Sequence, residues 1–83
     1  MTKILVIEDA PESARLAERI LINQNYEVVL AATGEEGINR AKEHHPDMIL
    51  FDLGLPDCEP EIVAQQIRSD QNFDGTPVIV VNE

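Results

Sequence analysis

The sequence predicts an α/β domain in which a parallel sheet lies between helices on both of its faces. Short apolar stretches rich in β-branched residues alternate with helical patterns along all 83 residues. Short loops join them, which is typical of βαβ units. Most of the apolar stretches are continuous, as in strands that are covered on both sides. A chain of this length forms one domain, so residues 1–83 are assigned to it.

Four strands and three helices are expected in alternation. The strands are predicted at Lys3–Ile7, Tyr26–Ala31, Met48–Phe51 and Val78–Val81. The helices are predicted from about Pro11 to Asn23, from a capping box at Thr33–Glu36 to about His44, and from Pro60 to Ser69. The inward side of the first helix is expected to carry Ala14, Ala17, Ile20 and Leu21.

Composition narrows the class of protein. Sixteen acidic against six basic residues give a net charge of -10, which argues against direct binding to nucleic acid or to an anionic membrane. No apolar run approaches the length of a membrane span or of a signal peptide, so a soluble, cytoplasmic protein is expected. The single cysteine, Cys58, cannot form an internal disulfide, which agrees with a reducing compartment.

Carboxylates follow two of the strands. Glu8 and Asp9 come directly after the first strand, and Asp52 ends the apolar run Met-Ile-Leu-Phe. Functional groups of open α/β sheets gather at the carboxyl ends of strands, so these three side chains meet if strands one and three are neighbours. Their mutual repulsion favours a bound cation, and oxygen ligands suit Mg²⁺ or Mn²⁺ better than Zn²⁺.

Three segments, in this order and at these separations, carry a resemblance that covers essentially the whole chain. They are the "ILVIEDA", "PDMILFDLGLPD" and "TPVIVV" sequences. Together they resemble the receiver domain of two-component response regulators. The resemblance implies the flavodoxin-like, CheY-like three-layer sheet with the order 2-1-3-4-5.

The resemblance also implies a chemistry for the strand ends. Asp52 would be the phosphoacceptor, Glu8 and Asp9 would hold Mg²⁺, and the backbone carbonyl of Gly54 would complete the protein ligands. Asp52 would attack the phosphoryl group of a phosphohistidine on a sensor histidine kinase or phosphotransfer protein and become an aspartyl phosphate. Such a receiver modifies itself and is not an enzyme acting on an external substrate.

The chain also departs from the receiver pattern. Asn82 stands where receivers usually place Ser or Thr, and its amide is a possible phosphate contact. Glu59-Pro60 replaces the common Asp-Gly, which predicts a stiffer loop. The sequence given ends at Glu83, before the fifth strand and the lysine that the resemblance implies, so an incomplete receiver with strands one to four is expected.

This ending leads to an expectation about assembly. Without a fifth strand, Val78-Ile79-Val80-Val81 is an open apolar edge, which predicts a homodimer with strand four paired to its symmetry mate. A degenerate receiver that acts as a dimerisation or interaction module is therefore an alternative to phosphotransfer.

A metal-dependent phosphatase with an aspartyl nucleophile is a third alternative. Haloacid-dehalogenase-type phosphatases carry a second Asp two residues after the nucleophile, where this chain has Gly54, and no P-loop occurs.

Without the resemblance, Glu8-Asp9 is open to another interpretation, as an acidic cap of the first helix. His44 and His45 point about 100° apart on a helix and are expected at its C-terminus without a metal role.

Overall fold

A computed structural model describes residues 1–52, 65–73 and 75–81 of the chain. Its sheet is formed by β1 (Lys3–Ile7), β2 (Glu27–Ala31), β3 (Met48–Asp52) and β4 (Val78–Val81). Its helices are α1 (Pro11–Asn23), α2 (Gly34–His44) and the described part of α3 (65–68), followed by a 3-10 turn at Gln71–Phe73. The first five residues of the predicted third helix, 60–64, lie outside the described residues.

All strand pairs are parallel, in the order β2-β1-β3-β4. This confirms the predicted fold class and strand order. β1 is central because its four consecutive buried residues, Ile4 to Ile7, can be covered on both faces.

Two strand boundaries differ from the prediction by one residue. β2 begins at Glu27 because the N–H of Tyr26 donates to the carbonyl oxygen of Leu21, at the end of α1, at 3.1 Å. β3 continues through Asp52, whose backbone is paired with Val81 of β4. The carboxylate residue therefore belongs to the sheet.

The main core lies on the α2 face of the sheet. Residues from β1, β2, β3, α2, α3 and the 3-10 turn form it: Leu5, Ile7, Ala31, Ala41, Ile49, Phe51, Ile67 and Phe73. Side chains alternate along a strand, so the buried Ile4 and Val6 lie on the opposite face, over which α1 packs with Ala14 buried. The molecule thus has the three layers expected.

The prediction that Ile20 faces inward is wrong, since its side chain is 53% exposed. Ile20 follows the buried Ala14 by six positions, which turns it about 120° away from Ala14 around the helix. Leu21 is half-buried and lies on the inward side. Apolar residues occupy several sides of α1, so the sequence pattern alone did not fix the buried side.

One of the two hydrogen bonds of the predicted capping box is present at the start of α2. The N–H of Glu36 donates to Oγ1 of Thr33 at 3.1 Å, which satisfies one of the unpaired helix N–H groups. α2 ends at His44, and His45 follows with the left-handed backbone angles φ 49° and ψ 62°. The Lys3 ammonium donates to the carbonyl oxygen of His44 at 3.2 Å and holds this helix end. The two histidines thus lie at the helix C-terminus as predicted.

None of the helices in the described part of the chain combines the length and the apolar character of a membrane span.

Candidate functional site

The strand register brings the predicted acidic residues to one edge of the sheet. Ile7 of β1 is paired with Phe51 of β3, so Glu8 and Asp52 occupy the next position on the two strands. Neighbouring strands lie about 4.8 Å apart. The condition for the predicted meeting, that strands one and three are neighbours, is therefore met, and the backbones at Glu8 and Asp52 are adjacent.

Glu8 is held in place by hydrogen bonds. Its N–H donates to the carbonyl oxygen of Ala31 at 2.9 Å, which extends the pairing of β1 with β2 by one residue. Its Oε1 accepts from the N–H of Ala10 at 3.3 Å, which turns the chain after the strand. Glu8 is half-buried and Asp9 is exposed, so one carboxylate is anchored and the next meets water.

A cleft of about 230 Å³ opens beside the acidic pair, between the starts of α1 and α2. The cleft is lined by the acidic pair, by five apolar residues and by two further charged residues: Glu8, Asp9, Pro11, Ala14, Arg15, Leu30, Ala31, Ala32 and Glu36. Glu36 also lies 3.8 Å from the Nε of Arg40, one helical turn on. The cleft beside the predicted carboxylates therefore also contains the charged residues Arg15 and Glu36.

Neither Arg15 nor Glu36 was predicted at this site from the sequence. The capping box did place Glu36 in the first turn of α2, and helices that follow parallel strands begin at the carboxyl edge of the sheet. The signal was thus present for Glu36. Arg15 required knowledge of which side of α1 faces β2, and the periodicity of this helix does not provide it.

The donor atoms of the acidic pair fit a hard divalent cation. Both side chains offer carboxylate oxygens, and Mg²⁺ is usually held by one or two carboxylates together with waters. Among the described side chains, no group of three or more His, Cys, Asp or Glu could hold a metal ion. The structure places Asp52 only through its backbone, and the predicted residues Gly54 and Asn82 lie outside the described residues. Their roles, and the cation site as a whole, stay predictions.

Comparison with known proteins identifies the family. The family model described as "Response regulator receiver domain" matches residues 4–83. The chain belongs to the response regulator receiver family. The sequence resemblance is thereby confirmed.

Curated relatives and solved structures agree with this assignment. The response regulator ArlR of Staphylococcus aureus (strain Mu50) is 36% identical over 81 residues, which are 98% of this chain and 36% of ArlR. The receiver chain thus spans about a third of the length of the curated relatives it matches. The chemotaxis response regulator CheY4 of Vibrio cholerae has a TM-score of 0.92 at 25% identity, covering 96% of this chain and 67% of CheY4.

A CheY-like receiver domain protein from Methanospirillum hungatei JF-1 also has a TM-score of 0.92, at 28% identity, covering 99% of this chain and 64% of that protein. Receiver domains are in general the phosphoacceptor modules of two-component signalling, where they interact with histidine kinases or phosphotransfer proteins. The fold and the family therefore agree on the general class of function.

Proposed function

We propose that this receiver accepts a phosphoryl group from a phosphohistidine onto Asp52, with Mg²⁺ bound by the neighbouring acidic pair. The observation that carries the proposal is the register of β1 and β3, which sets Asp52 beside Glu8 at the carboxyl edge of the sheet. Aspartate is favoured in turns, whereas Asp52 is the last residue of a paired, interior strand.

The chemical step is a displacement at phosphorus. An oxygen of the Asp52 carboxylate attacks the phosphoryl group, an O–P bond forms, and the N–P bond of the donor breaks with its electron pair going to the imidazole nitrogen. When bound, Mg²⁺ supplies charge neutralisation for the phosphoryl oxygens. Glu8 and Asp9 would hold it together with the carbonyl oxygen of Gly54, and the Asn82 amide would donate a hydrogen bond to the phosphoryl group.

The hydrogen bonds around Glu8 support its assigned role. The Ala31 carbonyl fixes its backbone and the Ala10 N–H fixes one carboxylate oxygen, so little ordering of this side chain accompanies cation binding. Asp9 is exposed and leaves room for the waters that Mg²⁺ retains. We expect weak binding, because the acidic pair is well hydrated before the cation arrives.

The donor would be a sensor histidine kinase or a phosphotransfer protein, and the reaction would take place in the cytoplasm, where such donors are active. The chain modifies itself once per phosphoryl group, so we propose no enzymatic turnover of an external substrate. The net charge of -10 favours a donor with a basic contact surface.

The second candidate function is an interaction module that dimerises through β4. Within the described residues β4 is paired with β3 alone, so its other edge is open. The side chain of Ile79 in this strand is 44% exposed. A strand edge that carries apolar residues and no charge is a template for pairing with another chain. In a solution of the 83-residue chain, we propose that Val78, Ile79, Val80 and Val81 pair with the same strand of a second copy about a two-fold axis.

Incubation with acetyl phosphate and Mg²⁺, followed by intact-mass measurement, tests the phosphoacceptor proposal. We expect a single phosphoryl adduct on the wild type and none on Asp52→Asn, because the amide is not a nucleophile. Asp47→Asn is the matched control, since Asp47 lies at the opposite end of β3 and is engaged with the N–H of Lys3. An adduct that survives Asp52→Asn would refute the assignment.

A further inference from the structure

Gly37 lies one turn into α2, is buried, and faces Ile7, the last residue of β1. A Cβ atom at position 37 would lie 2.4 Å from Cδ1 of Ile7, 2.8 Å from Cγ1 and 3.3 Å from Cγ2. Non-bonded carbon atoms pack at about 3.5–4.0 Å. Only glycine therefore permits the observed approach of α2 to β1.

Ile7 has little freedom to make room. Its side chain is 1% exposed, and its backbone is paired with Ala31 on one side and Phe51 on the other. Moving Cδ1 alone would leave Cγ1 too close, and a β-branched side chain has few allowed values of χ1. A side chain at position 37 would therefore displace either Ile7 or α2.

Both parts that would move carry residues of the cleft. Glu8 follows Ile7 directly along the chain, and Glu36 directly precedes Gly37. The contact between Gly37 and Ile7 is thus one residue away from Glu8 and from Glu36 along the chain. Because a single peptide unit joins Ile7 to Glu8, a displacement of Ile7 also moves Glu8.

We propose that Gly37 is a positioning residue for the Glu8–Asp9 pair. Because Gly37 has no side chain, α2 can pack closely against Ile7. This packing holds Glu8 and Asp9 where they bind the cation. The inference rests on the proposed function, in which Glu8 and Asp9 hold Mg²⁺. Gly37 itself touches neither the cation nor the phosphoryl group.

Mg²⁺ affinity, measured by calorimetric titration of the folded chain, tests the proposal. We expect Gly37→Ala to weaken binding by about tenfold, which is the lower end of the loss seen when groups that orient metal ligands are changed. Asp9→Asn gives the reference for direct loss of a ligand. Gly75→Ala is the control for general destabilisation, because Gly75 has a φ of +83° that strains any other residue but has nothing within 4 Å of an added Cβ. We expect its Mg²⁺ affinity to equal that of the wild type.

A compensating substitution distinguishes a positioning role of Gly37 from a general loss of stability. Ile7→Val removes Cδ1, the atom closest to the added methyl group, so Gly37→Ala/Ile7→Val is expected to regain part of the Mg²⁺ affinity. If Gly37→Ala alone does not fold, the double variant is compared with Ile7→Val. Equal affinity of Gly37→Ala and the wild type, or equal losses in Gly37→Ala and Gly75→Ala, would overturn the proposal.

Amide chemical shifts of the metal-free chain separate this inference from the proposed function. We expect Gly37→Ala to shift the Glu8 and Asp9 amide resonances more than Gly75→Ala does. If the wild type and Asp9→Asn both fail to bind Mg²⁺, the cation site is refuted even where these shifts are seen. Unchanged Glu8 and Asp9 resonances in Gly37→Ala would refute the positioning role even where Mg²⁺ binds.

Discussion

At the scale of single residues, a few side chains fix the local geometry of the site. Thr33 ends the loop after β2 and starts α2, and Glu36 enters the cleft from the first turn of that helix. The spacing of Thr33 and Glu36 was sufficient to predict the cap from the sequence. The contact between Gly37 and Ile7 was not predictable, because it depends on how closely two elements approach each other.

Removal of the Thr33 hydroxyl should destabilise the domain. Thr33→Ala leaves the Glu36 N–H without its side-chain acceptor, so we expect the free energy of unfolding to fall by about 1 kcal/mol. Urea denaturation followed by far-UV circular dichroism measures this change. Thr33→Ser keeps the hydroxyl and should retain most of the stability. Equal losses for the two variants would show that the methyl group of Thr33, and not the cap, is responsible.

At the scale of secondary structure, the strands were the most predictable elements. β1 and β4 have the predicted bounds, because continuous β-branched runs with polar or proline boundaries leave little choice. The inward side of α1 was predicted less well. Its exposed Leu16, Ile20 and Ile22 lie on more than one side of the helix, so periodicity did not separate the buried positions from the exposed ones.

The edge of β4 gives a prediction about assembly at the same scale. If the 83-residue chain dimerises by pairing of this strand, Ile79→Lys should shift it toward the monomer, because a lysine at an exposed edge opposes strand pairing. Size-exclusion chromatography with light scattering measures the molar mass in solution. Gln71→Lys adds the same charge at an exposed position outside the strands and should leave the dimer intact. A dimer that persists in Ile79→Lys would exclude this edge as the interface.

At the scale of the whole molecule, the parallel topology converts separate sequence segments into one site. Glu8 and Asp52 are far apart in the sequence, and the pairing of β1 with β3 makes their backbones neighbours. The sequence predicted this meeting through the alternation of strands and helices and through the strand order implied by the receiver resemblance. It did not predict the cleft, whose lining comes from the end of β2, the loops after β1 and β2, and the starts of α1 and α2.

Identification of the residue that carries the phosphoryl group is the decisive measurement for the proposed function. Borohydride reduction of the chain after incubation with acetyl phosphate and Mg²⁺ converts an aspartyl phosphate to homoserine, and peptide mass spectrometry then locates the changed residue. We expect homoserine at position 52, formed only when Mg²⁺ is present. Homoserine at position 9 in place of 52, or equal conversion of residue 52 without Mg²⁺, would refute the phosphoacceptor assignment.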